Sequence, residues 1–409
     1  MLQGLALFVT LHMIDLCKYF EDNGVPCSRF SQFGQRLFGN AGRRLFVFTQ
    51  MANQVGVLVY AMVLMVSSLQ TIFSESEWLQ CNFRTCLIVI GFGYLLVQVS
   101  RDWKDFHWLA YLTLALAITV SILLIIRSFT LENTFGGNTP LFVGMDYTCD
   151  PASIVGCKAP IDQYSFINVM SALGSVVFAF APCFITCELY SEMKYPEVDT
   201  KTSMKWAFTF STGLYILVGL VYAINVGNQV PQAVQAYVYD SGAWESIVVA
   251  VFLLLAMVTD FVICLLTINR ECIAVLRPGF DYKWTWSNAV TWSWVTFIPI
   301  TATFMLAILV PNLESIIGFV DTFSIPYSQL VFPCIFCLPW LTSMRRGTDN
   351  ENQLLEFEMM PLSRNKLIVL FCTSVYGITF SLLKSGIFVY GLTKLSFSGS
   401  YWCDEVAAL

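Results

Sequence analysis

Charge is what this chain has least of. Aspartate, glutamate, lysine and arginine make up 12% of its 409 residues, against about 25% in soluble domains. Histidine is scarcer still: His12 and His107 are the only two, far apart in sequence. No HExxH, GxSxG or phosphate-loop pattern occurs. Metal-assisted hydrolysis, serine-type acyl transfer and nucleotide hydrolysis therefore have no candidate residues. Basic residues do not gather into the patch that nucleic acid requires. There is no Asn-x-Ser/Thr sequon for N-glycosylation. The 14 cysteines are too scattered for a disulfide scaffold. Cys334 and Cys337 have CxxC spacing, but they sit in an apolar run without nearby ligands and read as core packing. An enzyme, a resident metal, an organic cofactor and a nucleic-acid partner therefore have no candidate residues and are not expected.

What is there is apolar. Hydrophobic residues make up 56% of the chain and mean hydropathy is +0.66, which reads as an all-α polytopic membrane protein. Apolar runs at 1–17, 45–73, 86–100, 109–126, 164–190, 204–226, 246–268, 289–310, 316–341 and 367–392 predict about ten spans. The segment 18–44 reads as polar, and the longest loop as 127–163. Of the 22 basic residues, 17 fall in one alternating set of loops. The positive-inside bias makes that set cytoplasmic and places both termini on the other side. Cys149 and Cys157 lie together in the longest loop, on the oxidising side. They are read as a disulfide, against two free thiols or Cys81 pairing with one of them.

Within the spans, the stretch 171–196 breaks the pattern. It starts as a plain membrane helix, meets Ala179-Phe180-Ala181-Pro182, resumes with Glu188, and ends at Met193-Lys194-Tyr195-Pro196. Proline lacks an N–H and crowds the carbonyl four residues back. In lipid the freed groups are tolerated only against protein or a water-filled cavity. The two readings are a substrate-binding broken helix and a proline kink in a packed helix. Four ionisable residues lie at depth: Glu188, Asp260, Asp321 and Lys384. Such residues usually face a cavity or a partner. Asp260 either titrates as a proton-coupling carboxylate or takes a cation, against a structural carboxylate bonded to neighbouring hydroxyls or backbone. Asp321 is nearer the outer face, and Lys384 is expected to snorkel.

The residues around the break resemble the sixth helix of the amino acid/auxin permease family. That family reads Phe-Ala-aromatic, then Gly-His, then Glu, then Met-Lys-x-Pro, where this chain has Phe178-Ala179-Phe180-Ala181, Glu188 and Met193-Lys194-Tyr195-Pro196. Leu309-Val310-Pro311-Asn312-Leu313-Glu314, running on to Phe332-Pro333-Cys334, is similar to the family's ninth-to-tenth helix turn and tenth helix. Residues 30–42 resemble its cytoplasmic segment before helix three. The resemblance spans nearly the whole chain and implies a single membrane domain over 1–409. The implied fold is the leucine-transporter (LeuT) type, with two inverted five-helix repeats among eleven helices. Residues 1–17 align with helix two, so the family's first helix has no counterpart here. The family's Gly-His pair is Pro182-Cys183.

The resemblance implies a secondary transporter of amino acids driven by a proton or sodium gradient, by alternating access around 171–196. Substrate is expected against Ser175, Phe178, Ala179, Phe180, Ala181, Pro182 and Cys183. Phe178 and Phe180 shape the pocket, Thr259 contributes from the eighth helix, and Asp260 or Glu188 senses the coupling cation. The alternative is a non-transporting amino-acid sensor or regulatory protein on the same fold. The expected partners are the bilayer and a small amino acid, in a plasma or vacuolar/lysosomal membrane; oligomeric state is not legible.

Overall fold

The computed structural model describes residues 2–22, 24, 29–99, 101, 107–134, 166–180, 182–225, 244–277, 279–309, 320, 322, 324–336 and 363–392. Among these residues every element is helical and there is no strand. The helices are α1 (Leu2–Asp22), α2 (Phe30–Ile72), α3 (Glu77–Gln80), α4 (Asn82–Val99), α5 (His107–Thr134), α6 (Phe166–Ala179) and α7 (Cys183–Glu192). They continue with α8 (Pro196–Asn225), α9 (Trp244–Leu276), α10 (Trp286–Leu309), a π-helical turn Pro326–Val331 leading into α11 (Phe332–Phe336), and α12 (Arg364–Leu392). Seven stretches among the described residues are long and apolar enough to cross a membrane. The chain is an all-α polytopic membrane protein. Three of the ten expected spans are not among the seven, each for a visible reason. Gln3, His12, Asp15 and Lys18 dilute the apolar run of α1. The break leaves α6 and α7 only 14 and 10 residues long. The span expected at 316–341 lies partly outside the described residues.

The helices group into two compact units. The first comprises Met1–Gly56, Met170–Phe210 and Ile317–Leu395; the second comprises Val57–Val169, Ser211–Ile316 and Ser396–Leu409. In the first unit α1 packs on α7, on the π-helical turn and on α11, and α12 packs on the turn and on α11. Its core holds an aromatic cluster. The Phe46 ring lies 4.4 Å from Phe332 and 4.8 Å from Phe336, and Phe30 lies 5.3 Å from Phe336. In the second unit α9 is central and packs against α4, α5 and α10. The Phe261 ring there lies against Gly93, where a Cβ would come within 2.5 Å of it.

The segment 18–44 is a correction. It is not a polar loop: α1 runs on to Asp22, and α2 begins at Phe30. Phe30 and Phe33 are fully buried, and this burial of aromatic side chains outweighs the arginines that made the segment look polar. The backbone turns at Gly39, whose φ of 70° and ψ of −159° fall in a region essentially confined to glycine. Gly42 then meets the preceding helix closely, since a Cβ there would lie 2.4 Å from the Gly34 carbonyl oxygen. Lys384 is a second correction. It is 3% exposed, with its ammonium 5.9 Å from the Phe380 ring, so it is held inside rather than snorkelling.

The Cys149–Cys157 pairing and Asp321 lie outside the described residues. Cys81, on the expected outer side, is disulfide-bonded.

Because the obstacle at Gly42 is backbone, it has little room to yield. Gly42→Ala is expected to destabilise the chain by about 1–3 kcal/mol, the cost of overpacking a tight contact. Gly4→Ala, where nothing lies within 4 Å of the added carbon, is expected to be neutral or slightly stabilising. Thermal unfolding of the two variants in detergent, followed by tryptophan fluorescence, compares them. Equal melting temperatures would remove the close crossing from the account.

Candidate functional site

The break is built by two prolines on two different elements. At the first, α6 ends at Ala179, Phe180 forms a turn, and Pro182 (φ −83°, ψ −6°) is the N-cap of α7. In an unbroken helix the Phe178 carbonyl would accept the N–H of residue 182, which proline lacks. The Ala179 carbonyl would accept the N–H of Cys183, but that N–H donates instead to Gln329 Oε1 at 2.9 Å. Both carbonyls are thus released from the helical ladder at the C-terminal, electronegative end of α6. The second proline explains why Gln329 stands there. Pro333 lacks the N–H that the Gln329 carbonyl would accept. The backbone relieves this by widening over Pro326–Val331, and the Phe332 N–H reaches Tyr327 O, five residues back. A π-helical turn of this kind re-aims side chains and is frequent at functional sites. It packs so closely on α12 that a Cβ at Gly377 would lie 2.9 Å from Val331 Cγ2.

Three buried polar side chains meet at the start of α7: Thr10 of α1, Cys183 and Gln329. Thr10 Oγ1 donates its proton to the Ala6 carbonyl at 2.8 Å. It accepts from Gln329 Nε2 at 3.4 Å and contacts Cys183 Sγ at 3.2 Å. Since the hydroxyl has only one proton, the Cys183 thiol is the donor in that contact. Further along α7, Thr186 Oγ1 bonds back to the Pro182 carbonyl at 2.9 Å, and Glu188 is buried at 4% exposure.

Of the residues expected to bind substrate, Ser175 and Ala179 are exposed, Pro182 is half-buried, and Phe180 and Cys183 are buried. Phe180 stacks on Phe208 of α8 with ring centroids 5.8 Å apart. Ala181 and the Phe178 side chain lie outside the described residues. Thr10 and Gln329 were not legible as partners of the break. The one available signal was an amide inside an apolar run, closely following Pro326.

The ionic end of α7 is equally well tied. The Tyr190 hydroxyl donates to Glu21 Oε2 at 2.7 Å. Lys201 pairs with Asp15 at 2.6 Å and with Glu197 at 3.0 Å, and Lys18 also pairs with Glu197. The Glu197 carboxylate holds the Lys18 ammonium above its ordinary pKa. These bonds fasten α1 to the broken helix and to the start of α8, at the end expected to be cytoplasmic.

Thr259 and Asp260 belong to the second unit, on α9. Thr259 Oγ1 lies 2.5 Å from Thr113 Oγ1 of α5 and 3.1 Å from the Leu255 carbonyl. Its hydroxyl is therefore committed to joining α5 and α9. Asp260 lies within electrostatic range of Tyr60, Tyr215 and Cys264.

The family described as "Transmembrane amino acid transporter protein" matches residues 1–384 of this chain.

Removing the amide of Gln329 leaves the Cys183 N–H without an acceptor in a buried setting. Gln329→Ala is expected to cost about 1–3 kcal/mol and to accelerate alkylation of Cys183 by N-ethylmaleimide. Gln329→Glu, which keeps an acceptor oxygen, is expected to retain more of the stability. Melting temperature and the rate of Cys183 labelling read both effects. An unchanged labelling rate in Gln329→Ala would contradict the capping role.

Proposed function

Because the chain belongs to the transmembrane amino acid transporter family, we propose that it is a secondary active transporter that carries amino acids by alternating access around the broken helix at 171–196. The observation that supports this most is the release of the Phe178 and Ala179 carbonyls at the end of α6. Two carbonyls at the negative end of a half-helix attract a cation, and the ammonium of an amino acid is the cation this family's cargo supplies. Phe180, fixed against Phe208, shapes one wall beside them. Ser175, Ala181, Pro182 and Cys183 border the same turn in sequence, and the Phe178 side chain completes the set. The LeuT-type inverted repeat is the architecture in which this arrangement works.

The coupling ion is a proton or sodium, and its candidate carboxylates are Asp260 and Glu188. Asp260, with Tyr60 and Tyr215 near it, suits a carboxylate that gains and loses a cation. Thr259 acts there by bracing α9 on α5. No cofactor or resident metal enters the scheme. The protein works in a plasma or vacuolar/lysosomal membrane. A disulfide between Cys149 and Cys157 remains part of the proposal for the outer loop.

The internal satisfaction of Cys183 by Thr10 and Gln329 favours one competing reading, a sensor that binds an amino acid without carrying it. Reconstitution of the chain into proteoliposomes separates the two. Labelled neutral amino acid is expected to accumulate under an imposed proton or sodium gradient. Asp260→Asn is expected to abolish gradient-driven accumulation while leaving exchange of amino acid across the membrane. Thermal stabilisation by the amino acid with no uptake under either gradient would favour the sensor and overturn the transporter.

A further inference from the structure

The second unit carries a basic corner built around Arg101 that the proposed transport scheme does not use. Arg101 follows α4 and is 4% exposed. Its Nη1 donates to the Tyr282 and Lys283 carbonyls, each at 3.4 Å. Its guanidinium carbon lies 4.2 Å from the centroid of Trp284 and 5.9 Å from that of Trp292. Among the described residues its Nε and Nη2 have no hydrogen-bond partner. Those two nitrogens share one edge of the guanidinium plane, and that edge is the fork that takes two oxygens of a phosphate or carboxylate side by side. Leaving two donors of a buried cation unused is costly.

The surroundings select the anion. Arg270 donates to the Arg101 carbonyl at 3.5 Å and faces Tyr282 at 5.9 Å. Arg277 bonds Asn288 Oδ1 at 3.5 Å and Thr291 Oγ1 at 3.4 Å. Lys283 is exposed and pairs loosely with Asp281 at 3.4 Å. Among the described residues of this corner, Arg101, Arg270, Arg277 and Lys283 outnumber Asp281 and the buried Glu271. The corner joins the end of α9 to the start of α10 on the side the basic-residue bias makes cytoplasmic. Trp284 and Trp286 are exposed there, as aromatic residues at a membrane interface are. Trp284 covers the guanidinium from the surface and is itself 68% exposed.

We propose that this corner binds the phosphate of an anionic lipid headgroup in the cytoplasmic leaflet. The Nε–Nη2 edge of Arg101 takes two phosphate oxygens, and Arg277 and Lys283 supply the surrounding field. Basic pockets between membrane helices on this side of a bilayer hold such headgroups.

The test is titration of the purified full chain in detergent with short-chain phosphatidylinositol 4-phosphate, read by native mass spectrometry and thermal shift. Phosphatidylcholine of equal chain length and inorganic phosphate are the comparison arms. Saturable binding of the phosphoinositide is expected. It should weaken about five-fold in Lys283→Gln, the effect of one surface charge. It should weaken about ten-fold or more in Arg101→Lys, which keeps the charge but loses the fork. If Arg101→Lys does not fold, Lys283→Gln, altered at an exposed side chain, decides with the salt dependence of binding. Equal binding of phosphatidylcholine overturns the proposal, as does inorganic phosphate binding as tightly as the lipid. Lys283→Gln binding as tightly as the unaltered chain does so too.

Discussion

A backbone inside a bilayer has no water to turn to, so each peptide group must find its partner within the protein. That constraint governs the first unit. One helix is interrupted at Pro182, and a second departs from α-helical geometry ahead of Pro333. Each defect alone would strand polar groups in an apolar setting. Together they are compatible, because the widened turn at Pro326–Val331 delivers the Gln329 amide to the N–H that the broken helix no longer uses. Thr10 of α1 closes the group by accepting from both Gln329 and Cys183. The result is asymmetric. The Cys183 N–H at the start of α7 is satisfied, while the Phe178 and Ala179 carbonyls at the end of α6 lose their helical donors, and it is there that we propose a cationic group binds.

The second unit obeys the same constraint with fewer departures. Apart from Pro299 inside α10, no proline interrupts its helices among the described residues, and α9 serves as the element on which α4, α5 and α10 are laid. Polar side chains there mostly join helices: Thr259 with Thr113, Asn269 with Thr296, and the Trp292 indole with the Val97 carbonyl. Asp260 stands apart from these because, among the described residues, its electrostatic neighbours are the phenols of Tyr60 and Tyr215 and the thiol of Cys264. Arg101 stands apart for a different reason, since among the described residues one edge of its guanidinium is left unused.

Much of the fold was legible because apolar runs and proline act locally. The spans, the break after Ala179 and the family frame all follow from neighbouring residues. The segment 30–44 was misread because arginine and glycine count towards a loop, whereas the burial of Phe30 and Phe33 depends on Phe336, some three hundred residues away. The same distance hid the polar junction: Thr10, Cys183 and Gln329 come from three separate spans and share no motif. Lys384 was expected to reach for water. Nothing in its sequence neighbourhood distinguishes a lysine that snorkels from one held inside beside Phe380.

We propose that the carbonyls of Phe178 and Ala179, without their helical donors, hold the ammonium of the cargo. The most direct measurement is equilibrium binding to the purified chain of a neutral amino acid and of the same molecule without its amino group. The amino acid is expected to bind, and the deaminated acid, with side chain and carboxylate intact, is expected not to. Equal binding of the two would contradict it.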